Sequence, residues 1–380
     1  MLKDFNNKIL IIAGEVSGEM HGAALVAELK NSNRDLEFFG IGGDNMINAG
    51  VETLQHIKDM AFLGFVEVIK HLPFILKVEK AIIDFVKLNK IKLAILIDYP
   101  GFNLRIAKKL NKLGVKVVYY ISPQIWAWHQ SRIKKIKNRV DKMLVVFPFE
   151  KKFYTDGDVS VEYVGHPLVE RIEEFNFKSK DEFFNDLGIE KEILLILPGS
   201  RKHEIEKHLP ELIKSADIIS RNNNLQIIVA CSENLDEEYL QQFISSENVK
   251  IVKGNTYNLL KHSKFGIIKS GTSTLEAAII GLPFVVIYST SKLTYELAKR
   301  LVKIDHIAMP NIIAGKTVVR EFIQSDVNAE LISEYVQSLL DNESDLNNLK
   351  LELNKIKTQL GGTGASKNAA EIITKILNED

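Results

Sequence analysis

The sequence predicts an α/β protein of two doubly wound, Rossmann-like units facing each other across a cleft. Three observations carry this expectation. The chain has 380 residues, more than one typical core accommodates. Short, branched, unbroken apolar runs recur along it, the pattern of strands buried on both faces of a parallel sheet. The order strand, glycine turn, helix opens each half, first at Lys8-Ile-Leu-Ile-Ile-Ala13 with Gly14, and again at Ile193-Leu-Leu-Ile-Leu197 with Gly199. A polar stretch from Glu170 to Lys191 divides the halves, giving expected units at 1–168 and 169–345, with terminal helices at 346–380. The last helix follows Gly361-Gly-Thr-Gly364, and it is expected to pack back on the first unit or on a partner chain.

Composition narrows the function. Apolar residues make up 46% and charged residues 26%, ordinary for a globular protein. Lysine plus arginine balances aspartate plus glutamate at 49 each, so no global field favours nucleic acid. The single cysteine, Cys231, excludes an internal disulfide and fits a reducing compartment. The N-terminus is polar, and the apolar run at 9–13 is too short for a signal-peptide core. No window reaches the length of a membrane span; the nearest, 61–85, is broken by Glu67, Lys70, His71 and Pro73 among others. A soluble, cytoplasmic protein is expected.

In the first half, Gly14-Glu-Val-Ser-Gly-Glu-Met-His-Gly22 follows the opening strand. Its glycines lack the G-x-G-x-x-G spacing of a dinucleotide site, and Ser17 is not in the G-x-S-x-G elbow of a hydrolase. Phe38-Phe-Gly-Ile-Gly-Gly-Asp44 is a second strand and turn. Residues 60–87 read as a pair of helices separated by Pro73. They hold too many large apolar residues for one core-facing stripe, Phe62, Leu63, Phe65, Val66 and Ile69 among them. These are either a well-buried helix pair or a surface that enters a bilayer or holds acyl chains. A third strand, Lys92 to Ile97, delivers Asp98 to its carboxyl end, where ligands bind in open α/β sheets. Asp98 there is either a general base or the N-cap of the helix that follows. A fourth strand, 115–121, runs into Ser122-Pro-Gln-Ile-Trp-Ala-Trp-His129, and the basic amphipathic segment 132–142 leads to two further strands.

In the second half, Pro198-Gly-Ser-Arg201 is a turn before a helix expected at 204–215, and four more strands follow. The strand ending at Ile268 enters Ser270-Gly-Thr-Ser-Thr-Leu-Glu276, a helix start closed by Gly281 and Pro283. Helix starts carry unpaired N–H groups and about half a positive charge, so this one is a seat for phosphate or, more plainly, an N-cap on a buried helix. His203 and His208 stand about 140° apart around a helix and cannot share a metal, so no metal site is expected.

Taken together, these features suit the transfer of a sugar from its nucleotide. The diphosphate would lie on Gly199, Ser200, Arg201 and the helix start Ser270, Gly271 and Thr272, with Glu276 on the ribose. Asp98 would take the acceptor proton, while Arg201 and the helix dipole stabilise the leaving diphosphate. No cofactor is required.

The residues also carry a family resemblance. Gly14-Glu-Val-Ser-Gly18, Phe62-Leu-Gly-Phe-Val-Glu67, Ile97-Asp-Tyr-Pro-Gly-Phe-Asn103, Ser122-Pro-Gln-Ile-Trp-Ala-Trp128, Pro148-Phe-Glu150, Val164-Gly-His-Pro167, Leu197-Pro-Gly-Ser-Arg201, Ser270-Gly-Thr-Ser-Thr-Leu-Glu276 and Pro310-Asn-Ile-Ile-Ala-Gly315 together resemble lipid-A-disaccharide synthase, in order from about residue 8 to residue 323. The resemblance implies a GT-B, inverting glycosyltransferase. It would join UDP-2,3-diacylglucosamine to 2,3-diacylglucosamine 1-phosphate, forming the β-1,6 disaccharide 1-phosphate of lipid A and releasing UDP. It gives Asp98 the role of base. It places Arg201, Ser270, Gly271, Thr272, Glu276 and Asn311 on the UDP side, and Glu15, Ser17 and Gly18 at the cleft-facing first turn. It also implies a peripheral protein of the inner face of the cytoplasmic membrane, and dimers that exchange C-terminal segments. A diacylated substrate turns the balance for Phe62, Leu63, Phe65, Val66 and Ile69 towards an acyl- or bilayer-facing surface.

This chain departs from the family pattern at two positions. It has Glu19 where the family often has Asp, and His129 where the first loop often has Arg, so neither is assigned a ligand. Rival readings are a UDP-sugar 2-epimerase, which needs no lipid acceptor, and a UDP-sugar- or lipid-binding module without chemistry.

Overall fold

The computed structural model describes residues 7–60, 71–128, 130–244, 246, 248–301 and 304–379. Phe62, Leu63, Phe65, Val66, Ile69 and His129 lie outside the described residues. The chain forms two units, one of Met1–Glu170 with Gly362–Asp380 and one of Arg171–Gly361.

The first unit holds a seven-stranded sheet among the described residues. Its strands are β1 (Lys8–Ala13), β2 (Glu37–Gly42), β3 (Val51–His56), β4 (Leu93–Ile97), β5 (Lys116–Tyr120), β6 (Lys142–Val145) and β7 (Val161–Tyr163). All pairings are parallel and the order is β3-β2-β1-β4-β5-β6-β7. The order reverses between β1 and β4, which run side by side with Ala13 opposite Ile97. The loops leaving these strands therefore diverge at this switch point, the usual place for a ligand. Strands β1 and β4 are almost wholly buried, as their unbroken apolar sequences require.

The second unit repeats the scheme with β8 (Ile193–Leu197), β9 (Gln226–Cys231), β10 (Val249–Lys253), β11 (Ser263–Lys269), β12 (Phe284–Tyr288) and β13 (Glu321–Ile323). Its order is β10-β9-β8-β11-β12-β13, again all parallel, with the switch between β8 and β11. Leu197 lies opposite Ile268, so the Gly199-Ser-Arg201 turn and the Ser270 helix start leave adjacent strand ends.

The terminal helix, Ala365–Asn378, packs on the helix Val16–Ser32 of its own chain. It buries Ala365, Ala369, Ala370 and Ile373. The Ser366 backbone N–H donates to Glu170 Oε2 at 3.2 Å, and Asn368 Nδ2 donates to the Val164 carbonyl at 3.0 Å.

Some expectations need correcting. Pro73 lies in the first turn of the helix Leu72–Leu88, where its missing N–H costs no helical bond; the first helix of the expected pair falls on 61–70, outside the described residues. The helix expected at 204–215 runs from Lys202 to Asn223 and passes through Pro210. The Pro310–Gly315 motif lies largely in a short helix, Met309–Ala314, opened by Pro310. Among the described residues, no helix is long and apolar enough to cross a membrane.

Candidate functional site

Asp98 sits immediately beyond β4, at the first switch point. It and Tyr99 both adopt left-handed backbone, with φ of 44° and 47°. Two successive non-glycine residues in this region store strain, which the surroundings must hold. Three side-chain bonds do so. The Tyr119 hydroxyl donates to the Asp98 carbonyl at 2.5 Å. Asn103 Nδ2 donates to the same carbonyl at 2.8 Å and to that of Ile97 at 3.1 Å. Both Asn103 and Tyr119 are fully buried. The turn also leans on Gly14: a Cβ there would lie 2.2 Å from the Tyr99 ring, so only glycine fits beneath it.

This architecture tunes the Asp98 carboxyl. Burial, helped by the negative charge of Glu15, pushes it up to about 6, against a weaker downward pull from the Tyr99 N–H. Asp98 is therefore ionised at neutral pH, yet more basic than an exposed carboxylate. Glu15 is the N-cap residue of the helix Val16–Ser32 without a side-chain cap, and Ser17 and Gly18 lie in its first turn. Glu19 has a clear structural task. It is buried, and its Oε1 accepts from the Asn45 N–H at 2.6 Å, pinning the turn after β2.

A second buried acid, Glu150, organises the tryptophan loop. Its Oε1 accepts from the Ser122 hydroxyl at 2.5 Å and from Trp126 Nε1 at 3.0 Å, and its Oε2 accepts from the Phe147 N–H at 3.1 Å. Burial raises the carboxyl to about 7 in spite of these donors. His166 is held neutral, pushed down to about 3 by burial and by nearby His21.

In the second unit a pocket of about 240 Å³ opens at the β8–β11 switch. Gly199, Ser200, Ser270, Gly271 and Thr272 line it, together with Glu204, Cys231, Thr256, Lys269 and Ser273. The helix Thr272–Ile280 starts at its wall, with Gly271 as N-cap and no side-chain cap, so its first N–H groups are free of one. A Cβ on Gly271 would meet nothing within 4 Å, so the backbone here borders open space. Gly199 differs: its φ is +113°, and a Cβ would come within 2.6 Å of Glu204 Oε2.

The predicted residues are not all placed alike. The Ser270 hydroxyl donates to the Ile307 carbonyl at 3.1 Å, so its proton serves the protein. Arg201 is the N-cap residue of the helix Lys202–Asn223; its side chain is 63% exposed, with Nη1 3.4 Å from Glu204 Oε1. Glu276 is partly buried, one turn into its helix, and accepts from the Tyr257 hydroxyl at 3.4 Å. Burial raises its carboxyl, while Arg171 and Tyr257 pull the other way. Asn311, expected on the UDP side, has its side chain engaged within the protein. Its amide is buried and fully occupied: Nδ2 donates to the Val319 carbonyl and to Glu321 Oε1, both at 2.8 Å, and Oδ1 accepts from the N–H groups of Val318 and Val319 at 2.8 and 2.9 Å. It builds the loop that Ser270 touches, with no donor left over.

Sequence reasoning missed five residues that shape these sites and their loops: Asn103, Tyr119, Glu150, Glu204 and Lys269. Asn103 and Glu150 stand inside quoted motifs, but only the hydrogen bonds reveal their tasks. Lys269 precedes Ser270 and would have been visible as a cation at a strand end.

Two parallel sheets, each with its loops diverging at a switch point, and a pocket at a helix start in the second define an α/β architecture of the GT-B type. Solved structures with the same fold include a putative UDP-N-acetylglucosamine 2-epimerase from Listeria monocytogenes (TM-score 0.68, 12% identity, covering 98% of this chain and 97% of that one). Another is a calicheamicin glycosyltransferase (TM-score 0.61, 16% identity, covering 98% of each chain). Residues 9–376 match the family model described as lipid-A-disaccharide synthetase. The lipid-A-disaccharide synthase of Geobacter metallireducens is 38% identical over 377 residues, covering 98% of both chains, and that of Trichlorobacter lovleyi is 39% identical over 383 residues, also covering 98% of both. The chain belongs to the lipid-A-disaccharide synthase family, the glycosyltransferases of lipid A biosynthesis.

Proposed function

We propose that the enzyme is an inverting glycosyltransferase that joins UDP-2,3-diacylglucosamine to 2,3-diacylglucosamine 1-phosphate. The observation that carries this reading is Asp98, a carboxylate of raised basicity fixed at the first unit's switch point. The acceptor's 6-hydroxyl oxygen forms the new bond to the donor's anomeric carbon as the bond from that carbon to the diphosphate breaks. Asp98 accepts the hydroxyl proton, and UDP leaves with the bonding electrons. Displacement from the opposite face inverts the anomeric centre.

In the second unit, the diphosphate is held by the backbone N–H groups that begin the helix Thr272–Ile280, with Gly199, Ser200 and Arg201 beside it. Gly271 lets the phosphate approach, and Glu276 receives ribose hydroxyls. A UDP-sugar 2-epimerase shares this fold, but fold likeness at such low identity says nothing of the reaction.

The acyl chains and a peripheral place on the inner face of the cytoplasmic membrane belong to the same proposal. They rest on Phe62, Leu63, Phe65, Val66 and Ile69, and replacing Phe62, Leu63 and Phe65 by serine should weaken binding to anionic vesicles. The test of the reaction is UDP release measured with and without the diacylglucosamine 1-phosphate acceptor. Release that depends on the acceptor supports the reading. Acceptor-independent release, or an epimerised sugar, overturns it.

A further inference from the structure

The pocket of the second unit already contains a negative charge. Glu204 lies on its wall, with Oε1 2.8 Å from Lys269 Nζ and 3.4 Å from Arg201 Nη1. The pair is sheltered, the lysine side chain being 16% exposed and the glutamate 10%. Burial works to raise the Glu204 carboxyl, but Lys269 and then Arg201 keep it below the usual range. Both members of the pair line the cavity beside the Gly271 helix start, whereas Arg201 reaches mostly into solvent.

We propose that Lys269 is a phosphate-binding residue of this pocket, taken over from Glu204 by an incoming diphosphate in an exchange of ion pairs. The proposal rests on the nucleotide reading above. An ammonium group has three donors, and the Glu204 bond uses one. Its charge is whole, while a helix start offers about half of one. The cost of moving a lysine out of water has already been met in the folded protein, because Glu204 accompanies it. A phosphate therefore replaces one anion by another at a cation already in place. Glu204 keeps the lysine aimed inward when the pocket is empty, and it competes when the ligand enters.

A purely structural pair would behave differently, since removing either partner would loosen the Gly199 turn alike. UDP binding should be measured by calorimetry on the full chain for the wild type, Lys269→Met, Glu204→Gln and the double variant. Lys269→Met is expected to weaken UDP binding about tenfold or more and to flatten its dependence on salt. Glu204→Gln is expected to tighten it severalfold. In the Glu204→Gln background, where no orphaned acid remains, Lys269→Met must still weaken binding about tenfold. Equal weakening by the two single variants, or no lysine effect in that background, overturns the proposal while wild-type UDP binding upholds the nucleotide site. Failure of the wild type to bind UDP overturns both.

Discussion

The Tyr119 hydroxyl lies 2.5 Å from the Asp98 carbonyl oxygen, so a fully buried residue of β5 governs the backbone of a turn at the end of β4. The bond acts on the main chain and leaves the carboxylate free. Tyr119→Phe keeps the ring and loses the bond. It should cost about 1 kcal/mol of stability and lower kcat, with UDP affinity unaltered. Thermal unfolding, steady-state kinetics and calorimetry on one preparation check this.

Asp98→Asn should abolish most turnover, by a factor of about 10² to 10⁴, without weakening UDP binding. It should also stabilise the protein at neutral pH. The folded carboxyl titrates at about 6 against 3.8 as the reference, so ionisation opposes folding above pH 6 and not below 3.8. The asparagine variant should therefore be more stable by about 1–3 kcal/mol at pH 7.5, and this gain should vanish as the pH falls towards 4. For the wild type, kcat/KM should fall on the acid side of pH 6. Denaturant unfolding at several pH values, with a pH–rate profile, tests both.

Gly271→Ala separates ligand space from fold. A methyl group there meets nothing within 4 Å, and the helix start has no need of glycine's freedom. Stability should stay within about 0.5 kcal/mol of the wild type. UDP affinity should drop about tenfold or more if phosphate approaches this backbone. An undiminished affinity would remove the helix start from the site.

Glu276 is one turn in from the helix start, with the Tyr257 hydroxyl 3.4 Å away and the charge of Arg171 acting on its carboxyl. Glu276→Ala should weaken UDP binding about tenfold, the loss falling on UDP and not on inorganic pyrophosphate. Tyr257→Phe should have a smaller effect in the same direction. Competition binding distinguishes the ribose from the phosphate contribution.

Glu150 receives three donors inside the first unit. Glu150→Ala would strand Ser122, Trp126 and Phe147 without their acceptor and should cost about 3–5 kcal/mol. Glu150→Gln should cost less, because an amide oxygen still serves Ser122 and Trp126 while its nitrogen opposes the Phe147 N–H. Urea unfolding followed by tryptophan fluorescence reports both.

The two-unit architecture was legible because parallel strands buried on both faces must be short and apolar, as Ile9–Ile12 and Ile193–Leu197 are. The edge strand β3, Val51-Glu-Thr-Leu-Gln-His56, escaped notice because only its first residue is buried, leaving no apolar run. Asp98 could be found from its place at a strand end, but Asn103 could not. A buried asparagine looks like a surface one until its partners are known. Asn311 carried the opposite difficulty: resemblance marks the position, while the geometry shows an amide already fully engaged. The pairing of Lys269 with Glu204 joins residues far apart in sequence and leaves no local pattern.

The last helix belongs to the unit that the first residues begin, so the whole second unit is an insertion within the first. During synthesis the seven strands around Asp98 are made early, yet the outer face of the helix Val16–Ser32 waits for its cover until the second unit has emerged. Assembly of the first unit is thus tied to completion of the chain, and its early and late segments are held together at Glu170 and Val164. A lesion in the final turns would leave the nucleotide pocket's own sheet intact and be felt instead in the scaffold of the base.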